Sequence, residues 1–204
     1  MIVTEVEAWT KTKYKIELDG KFAFVLYKGE LSRFSVQKGK ELPEETFREI
    51  KEKVLAKRAK SRALHLLNAA PRTEAELKRK LEEGLYPKEI TEQAIAYVKS
   101  FGYINDYRYA LNFIECRQEK KSRREIQALL AQKGLNPETA ARAMEEAYAE
   151  KGDQEAIRKI LERKHFTEIM EDPERLQKVF GYLARKGFRY EDIRRVVQNY
   201  EDDT

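Results

Sequence analysis

An internal repeat constrains this chain more than any other feature of its sequence. The stretch from Arg62 to Asp106 reads as three helices. The first carries Ala63, Leu66, Leu67 and Ala70 on one stripe and stops before Pro71, which biases Ala70 towards extended backbone. The second opens at Thr73 with Glu76 three residues on, a capping box, carries Leu77 and Leu81, and ends at Gly84 as a left-handed cap. The third opens near Pro87, carries Ile90, Ala94, Tyr97 and Val98, and ends at Gly102. Ile126, Leu130, Gly134, Leu135 and Ala140 replay Leu77, Leu81, Gly84, Leu85 and Ile90, and Val179, Leu183, Gly187, Phe188 and Ile193 replay them again. The glycine spacings are 134−84 = 50 and 187−134 = 53. The first copy runs 13 steps from Leu77 to Ile90 where the others run 14, so it reads as one residue short just before Gly84. Units of this size are too small to be robust alone, so stability is expected to come from contacts with their neighbours.

The predicted fold is therefore mainly α: three tandem three-helix units in an elongated array, 59–106, 107–152 and 153–204, preceded by a β-hairpin or small antiparallel sheet and a linker helix in 1–58. The N-terminal residues are rich in β-branched and aromatic side chains. Ile2, Val3, Val6 and Trp9 suggest one strand, Tyr14, Ile16 and Leu18 alternate as a second, and Phe22 to Tyr27 forms a third, with Asp19-Gly20 as the hairpin signal between the last two. A three-residue loop, Asp19 to Lys21, would pair Leu18 with Phe22, Ile16 with Phe24 and Tyr14 with Leu26; a two-residue turn would instead set Ile16 opposite Ala23. A short helical turn is expected through Gly29 to Phe34. Glu44 to Leu67, free of Gly and Pro, forms one long helix or two with a break near Ala59. Ser122, Asn136-Pro137 and Asp153 are the expected helix starts of the later units; the loop from Phe166 to Pro173 is longer than its counterparts, and Glu201 to Thr204 reads as a frayed tail.

Of the 204 residues 38% are charged, and the net charge is +5. Residues 1–60 carry 14 basic and 10 acidic side chains, while 61–106 and 154–204 balance, so the excess is mild and N-terminal. That is not the footprint of a protein held on duplex DNA by charge alone, though local basic faces permit weak nucleic-acid contact. A single cysteine, Cys116, excludes an internal disulfide and fits a reducing compartment; on the apolar face of its helix it is expected in the core. No run of membrane-spanning length and no signal-peptide layout is present, so a cytoplasmic protein is expected.

No catalytic, metal or cofactor site is legible. His65 and His165 lie in different units, and no phosphate-binding glycine loop or zinc spacing occurs. The basic clusters are the candidate binding surface. Arg175, Lys178, Tyr182 and Arg185 fall on one helical face, with Arg194 and Arg195 on the next helix; Arg72, Arg79 and Lys80 accompany the second helix of the first unit; Lys120, Lys121, Arg123 and Arg124 surround Ser122. An ordinary solvated face compensated by nearby carboxylates explains such charge equally well, since a repeat copies structural features too.

Several motifs together resemble the RecX family, regulators of the bacterial RecA recombinase. They are Ala63-x-x-Leu66-Leu67, Arg72-Thr73-x-x-Glu76-Leu77-x-x-Lys80-Leu81, Gly102-Tyr103-Ile104-Asn105-Asp106 followed by Tyr109-Ala110, and Arg123-x-x-Ile126-x-x-x-Leu130-x-x-Lys133-Gly134. The N-terminal hairpin resembles an extension found in some members. The resemblance implies a non-enzymatic protein without cofactor that binds RecA filaments on single-stranded DNA. It also implies inhibition of ATPase, strand exchange and co-protease function, with some affinity for single-stranded DNA and, weakly, for double-stranded DNA. A monomer is expected. Two rival classes are a stand-alone DNA-binding helical array and a helical-repeat adaptor for another protein.

Overall fold

The structure, a computed structural model, describes residues 1–149 and 152–202. Three antiparallel strands, β1 (Val3–Ala8), β2 (Lys13–Leu18) and β3 (Lys21–Tyr27), form a sheet in the order β1-β2-β3. Asp19 (φ 49°) and Gly20 (φ 77°) both have positive φ, as a two-residue turn of the primed kind requires. Leu18 therefore faces Lys21 and Glu17 faces Phe22, yet Ile16 still faces Phe24 and Tyr14 faces Leu26. The two sequence alternatives are each half right: the turn is the tight one, and a bulge in the ladder leaves Ala23 without an opposite residue. The bulge turns Phe22 outward (46% exposed) and keeps Ile16, Leu18, Phe24 and Leu26 on the buried face.

Helix α1 (Lys28–Arg33) follows, and then α2 (Glu44–Glu49), a π-helical stretch at Ile50–Leu55 and α3 (Ala56–Ala69) run on without interruption. No break occurs near Ala59, which is fully buried in mid-helix. The π stretch explains how the rod keeps one face on the core. Its inward residues are Phe47, Ile50, Leu55, Ala59, Ala63 and Leu66, at steps of 3, 5, 4, 4 and 3. A five-residue step overshoots an α-helical turn of 3.6 residues. The wider i→i+5 turn absorbs it, so both ends bury their apolar stripe. Helices α4 (Glu74–Glu83) and α5 (Lys88–Ser100) complete the unit Met1–Ile104, in which sheet and helices share one core from Val3 to Ile104. Pro71 does hold Ala70 extended (φ −166°, ψ 149°), and Thr73 with Glu76 forms the expected capping box.

Gly84 is not the left-handed cap: its φ is −79°, and Leu85 takes the left-handed conformation at φ 58°. Leu85 is thus the counterpart of Gly134 (φ 74°) and Gly187 (φ 90°). In all three turns the next amide donates to the carbonyl five residues back: Tyr86 to Leu81, Leu135 to Leu130 and Phe188 to Leu183. With Leu85 as the cap, Thr91 (0% exposed) matches Ala140 and Ile193, each six residues past its cap. The first copy is therefore full length, and only its glycine is displaced by one. A Cβ at Gly84 would lie 3.1 Å from both the Leu81 carbonyl and the Tyr86 ring, which accounts for a glycine at that position.

The second unit, Asn105–Thr204, holds two three-helix sets: α6 (Asp106–Glu115), α7 (Arg123–Gln132) and α8 (Pro137–Ala147), then α9 (Gln154–Arg163), α10 (Pro173–Arg185) and α11 (Tyr190–Asp202). A short 3-10 turn at Phe166–Glu168 occupies the long loop and buries Phe166. Each set has its own core, around Ile114, Ile126 and Leu130 in one and Ile157, Leu183 and Ile193 in the other. They are joined at Ser122. Its buried hydroxyl caps α7 by accepting from the Glu125 amide (3.1 Å) and donates to the Lys186 carbonyl (2.7 Å) at the end of α10. Asp153 heads α9 but makes no cap bond to it; its carboxylate accepts instead from the Arg123 amide at the start of α7 (3.0 Å). Cys116 falls just past the end of α6 and is exposed, not in the core. Helix α11 extends through Asp202 and so includes the first two residues of the tail expected to fray; Asp203 and Thr204 lie outside the described residues. No helix among the described residues is long and apolar enough to cross a membrane.

Candidate functional site: a basic groove and scattered basic faces

Basic side chains gather in the first unit around an open groove of about 990 Å³. Its floor is the outer side of the long helical rod, which contributes Lys53, Lys57, Arg58 and Arg62. The sheet and α1 supply Lys13 and Arg33, and α4 supplies Lys80. Against these seven cations stand two lining carboxylates, Glu30 and Glu83, while Glu49 pairs with Arg33 and Lys53, so the formal balance is 7−3 = +4.

Both carboxylates are already engaged. Glu30 takes two 2.5 Å bonds from the Arg58 guanidinium and also accepts from the Tyr27 amide (2.7 Å). Arg58 donates further to the Val25 carbonyl (3.1 Å) and lies over the Tyr27 ring. With side chains only 19% and 23% exposed, Arg58 and Glu30 form a structural clamp between rod and sheet. Glu83 pairs with Lys80 at 2.7 Å, and that hydrogen bond holds its carboxyl below the usual range. Burial pushes the Tyr86 phenol up, with Arg58 opposing it. Lys13 sits over the rings of Trp9 and Tyr27, while Arg33 and Lys53 both approach Glu49 (3.7 and 3.5 Å). Lys57 and Arg62 are exposed and have no acidic partner among the described residues. They are the groove's free cations.

Of the residues expected from sequence to bind, only Lys80 lines this groove. Arg72 is half-buried and donates to the Leu66 carbonyl (3.3 Å), closing the end of α3. Arg79 is exposed beside Glu83 (3.9 Å). Lys121 is half-buried and paired with Glu125, whereas Lys120 is exposed. Arg123 lies over the Tyr148 ring, and the Arg124 stem lies 3.3 Å from where a Cβ on Gly187 would stand, so both belong to the junction of the second unit while remaining exposed. Arg175 pairs with Asp172 at the start of its own helix (3.1 Å). Lys178, Arg185, Arg194 and Arg195 are exposed, and Lys178 and Arg185 share a face of α10 with half-buried Tyr182.

The groove residues missed from sequence had a signal. Lys53, Lys57, Ser61 and His65 recur every four residues along a helix, and the first 60 residues carry most of the net charge. What the sequence did not supply was the neighbour: Lys13 and Arg33 reach the same recess only because the sheet packs on the rod.

At the junction in the second unit, burial raises the Asp153 carboxyl, with the Arg123 amide bond opposing it and Asp192 reinforcing it. Burial, reinforced by Asp153, pushes the Tyr148 phenol up to about 12, and its hydroxyl has no hydrogen-bond partner among the described residues. Among the described residues no group of three or more His, Cys, Asp or Glu is placed to hold a metal ion.

Three family descriptions match the chain in order: RecX, first three-helix domain, over residues 59–97; the second over 105–144; and the third over 152–197. The regulatory protein RecX of Caldanaerobacter subterraneus subsp. tengcongensis is 30% identical over 199 residues, 97% of this chain and 98% of that protein. The regulatory protein RecX of Clostridioides difficile is 29% identical over 202 residues, covering 96% and 94%. A crystal structure of a regulatory protein RecX superposes with a TM-score of 0.63 at 29% identity over 96% of this chain and 98% of that one. RecX from Lactobacillus salivarius shares the fold, with a TM-score of 0.62 at 23% identity over 72% of this chain and 97% of that one. With all three domain types in order and relatives matched over nearly their whole length, the chain belongs to the RecX family of regulatory proteins.

Proposed function

We propose that this protein acts in the cytoplasm as a non-enzymatic regulator of RecA, binding RecA filaments assembled on single-stranded DNA and inhibiting ATPase, strand exchange and co-protease activity. The observation that carries the reading is the full-length match to regulatory RecX proteins, with all three three-helix domains present and in order. The distribution of charge supports it. Exposed cations on each three-helix set, such as Arg79, Arg123, Arg124, Lys178 and Arg185, give several weak contacts on one chain. A filament presents the same surface again and again, so weak contacts made together add through effective concentration.

The test is a titration of this protein into RecA turning over ATP on single-stranded DNA, at protein concentrations well below that of RecA. Inhibition far under one-to-one, persisting with DNA in large excess, is the expected result. Unchanged ATPase together with failure to co-sediment with filaments overturns the proposal. Charge reversal at Arg123, Lys178 and Arg185 together is expected to weaken co-sedimentation; no change removes those residues from the contact surface.

A further inference from the structure

We infer that the last three-helix set, α9 to α11, is hinged: it swings away from the middle set, α6 to α8, by breaking a small polar joint, while both sets keep their folds. The motion belongs to this chain by itself, so the inference stands apart from the filament reading.

Each set has an apolar core of its own, and no buried hydrophobic cluster spans the two among the described residues. No helix of one set packs lengthwise on a helix of the other. What holds them together is polar and local. The Ser122 hydroxyl donates to the Lys186 carbonyl (2.7 Å), the Arg123 amide donates to the Asp153 carboxylate (3.0 Å), and Lys159 pairs with Glu119 (2.7 Å). The Arg124 stem beside Gly187 adds a short apolar touch. The bond from the Glu125 amide to Ser122 lies inside the middle set and survives separation, so α7 keeps its cap. Water replaces the broken polar contacts, and little apolar surface is exposed. Opening therefore costs far less than unfolding either set.

The closed joint also encloses groups that water serves better. Asp153 is half-buried, and Tyr148, Arg123, Arg189 and Asp192 face it from the end of α8, the start of α7 and the start of α11. Burial is the largest influence on its carboxyl and raises it, against the Arg123 amide bond and both arginines. The Tyr148 hydroxyl is buried with no hydrogen-bond partner among the described residues. Opening hydrates both groups, which offsets part of the loss of the three polar contacts. The open form is then a minor population, on the order of 1%. In it Lys178 and Arg185 on α10 change their distance from the cations of the middle set, so the chain is not limited to one spacing of contacts on a partner.

The experiment uses the full chain carrying Cys116→Ser, with spin labels at Ala141→Cys on α8 and Gln198→Cys on α11, two exposed positions in separate sets. Double electron–electron resonance reads the distance distribution between them. The parent is expected to give one dominant distance and a minor second population. Ser122→Asp keeps a cap on α7, since a carboxylate also accepts from the Glu125 amide, but sets an acceptor against the Lys186 carbonyl. Loss of that buried bond is expected to raise the open-to-closed ratio roughly tenfold. Lys159→Ala, at a partly exposed ion pair, is expected to raise it by about two- to fivefold. Tyr148→Phe removes the buried hydroxyl and, added to Lys159→Ala, is expected to bring the ratio back towards the parent's. Far-UV circular dichroism is expected to stay at the parent's level throughout, since neither set unfolds. Two results overturn the inference: a single distance that neither Ser122→Asp nor Lys159→Ala alters, or a second population that appears only together with loss of helical signal. Should Ser122→Asp fail to fold, Lys159→Ala decides the matter by the same two criteria, because its side chain lies at the surface of α9.

Discussion

Replacing Ser122 by alanine removes two bonds at once from the junction of the second unit. The hydroxyl is fully buried, caps α7 through the Glu125 amide at 3.1 Å and donates to the Lys186 carbonyl at 2.7 Å. Loss of a serine cap costs about 1 kcal/mol. A partly buried carbonyl left without its donor costs about 1–2 kcal/mol more. The expected destabilisation is about 2–3 kcal/mol, a large share of the stability of a unit this small. At roughly 4–8 °C per kcal/mol, it lowers the melting temperature of that unit by about 10 °C or more.

Gly187→Ala probes the same junction from the other side. It forces a Cβ into φ 90° backbone and places it 3.0 Å from the Ser122 Oγ and 3.3 Å from the Arg124 Cβ. It is expected to cost about 1–2 kcal/mol in backbone strain before any overlap is counted. Because Ser122→Ala removes the atom nearest that Cβ, the double variant should be less destabilised than the sum by about 0.5 kcal/mol or more. Urea unfolding of the full chain, followed by far-UV circular dichroism, measures all three variants. A cost under about 1 kcal/mol for Ser122→Ala, or strict additivity with Gly187→Ala, would refute the account of the junction.

Other expectations follow from single sites. At Leu85, held at φ 58°, glycine should be more stable than alanine by about 1 kcal/mol, the reverse of their order inside a helix, as urea midpoints of the two variants will reveal. Arg58→Met leaves Glu30 partly buried without its guanidinium and should cost about 3 kcal/mol, with the double variant Arg58→Met, Glu30→Gln recovering much of the loss in thermal melts. Burial raises the Asp153 carboxyl above its unfolded value of 3.8, so its protonated form is the one favoured by folding. Its contribution is thus fully present below that value and is lost as pH rises through the folded pKa. Asp153→Asn should therefore gain stability relative to the parent as pH rises across that window, and a difference that stays flat with pH contradicts the assignment. Tyr148→Phe removes a hydroxyl with no partner among the described residues and should be neutral or stabilising by up to about 1 kcal/mol; a clear loss in urea unfolding would mean that the hydroxyl has a bonding role.

Much of the architecture was legible because helix signals are local. The cap at Thr73, the Asn136-Pro137 start and the extended Ala70 before Pro71 depend on a residue and its near neighbours. The repeat itself was legible because each three-helix set needs apolar side chains at the same helical spacing to fill its own core. The errors fell where a second segment intervenes. Asp153 reads as a cap for its own helix, and its spacing is right, but the better donor is the Arg123 amide thirty residues back. Gly84 reads as the left-handed cap because glycine prefers that conformation, but crowding by the Tyr86 ring reserves the glycine for Gly84 and leaves the strain to Leu85. Cys116 follows the apolar face of α6 in sequence, yet the helix ends one residue earlier and leaves it exposed.

The candidate site divides in the same way. The sequence by itself determined that the chain is a three-unit helical protein behind a small sheet, that its excess charge is N-terminal, and that the RecX motifs run through it, because periodicity, composition and motif spacing are properties of neighbouring residues. Only the tertiary structure decided which charges act together. Sheet packing on the rod brings Lys13 and Arg33 beside Lys57 and Arg62, while ion pairs with Glu30 and Glu83 take Arg58 and Lys80 out of the free set. Electrostatic attraction depends on distance in space and on which partners are already neutralised, and neither quantity is written in the order of the residues.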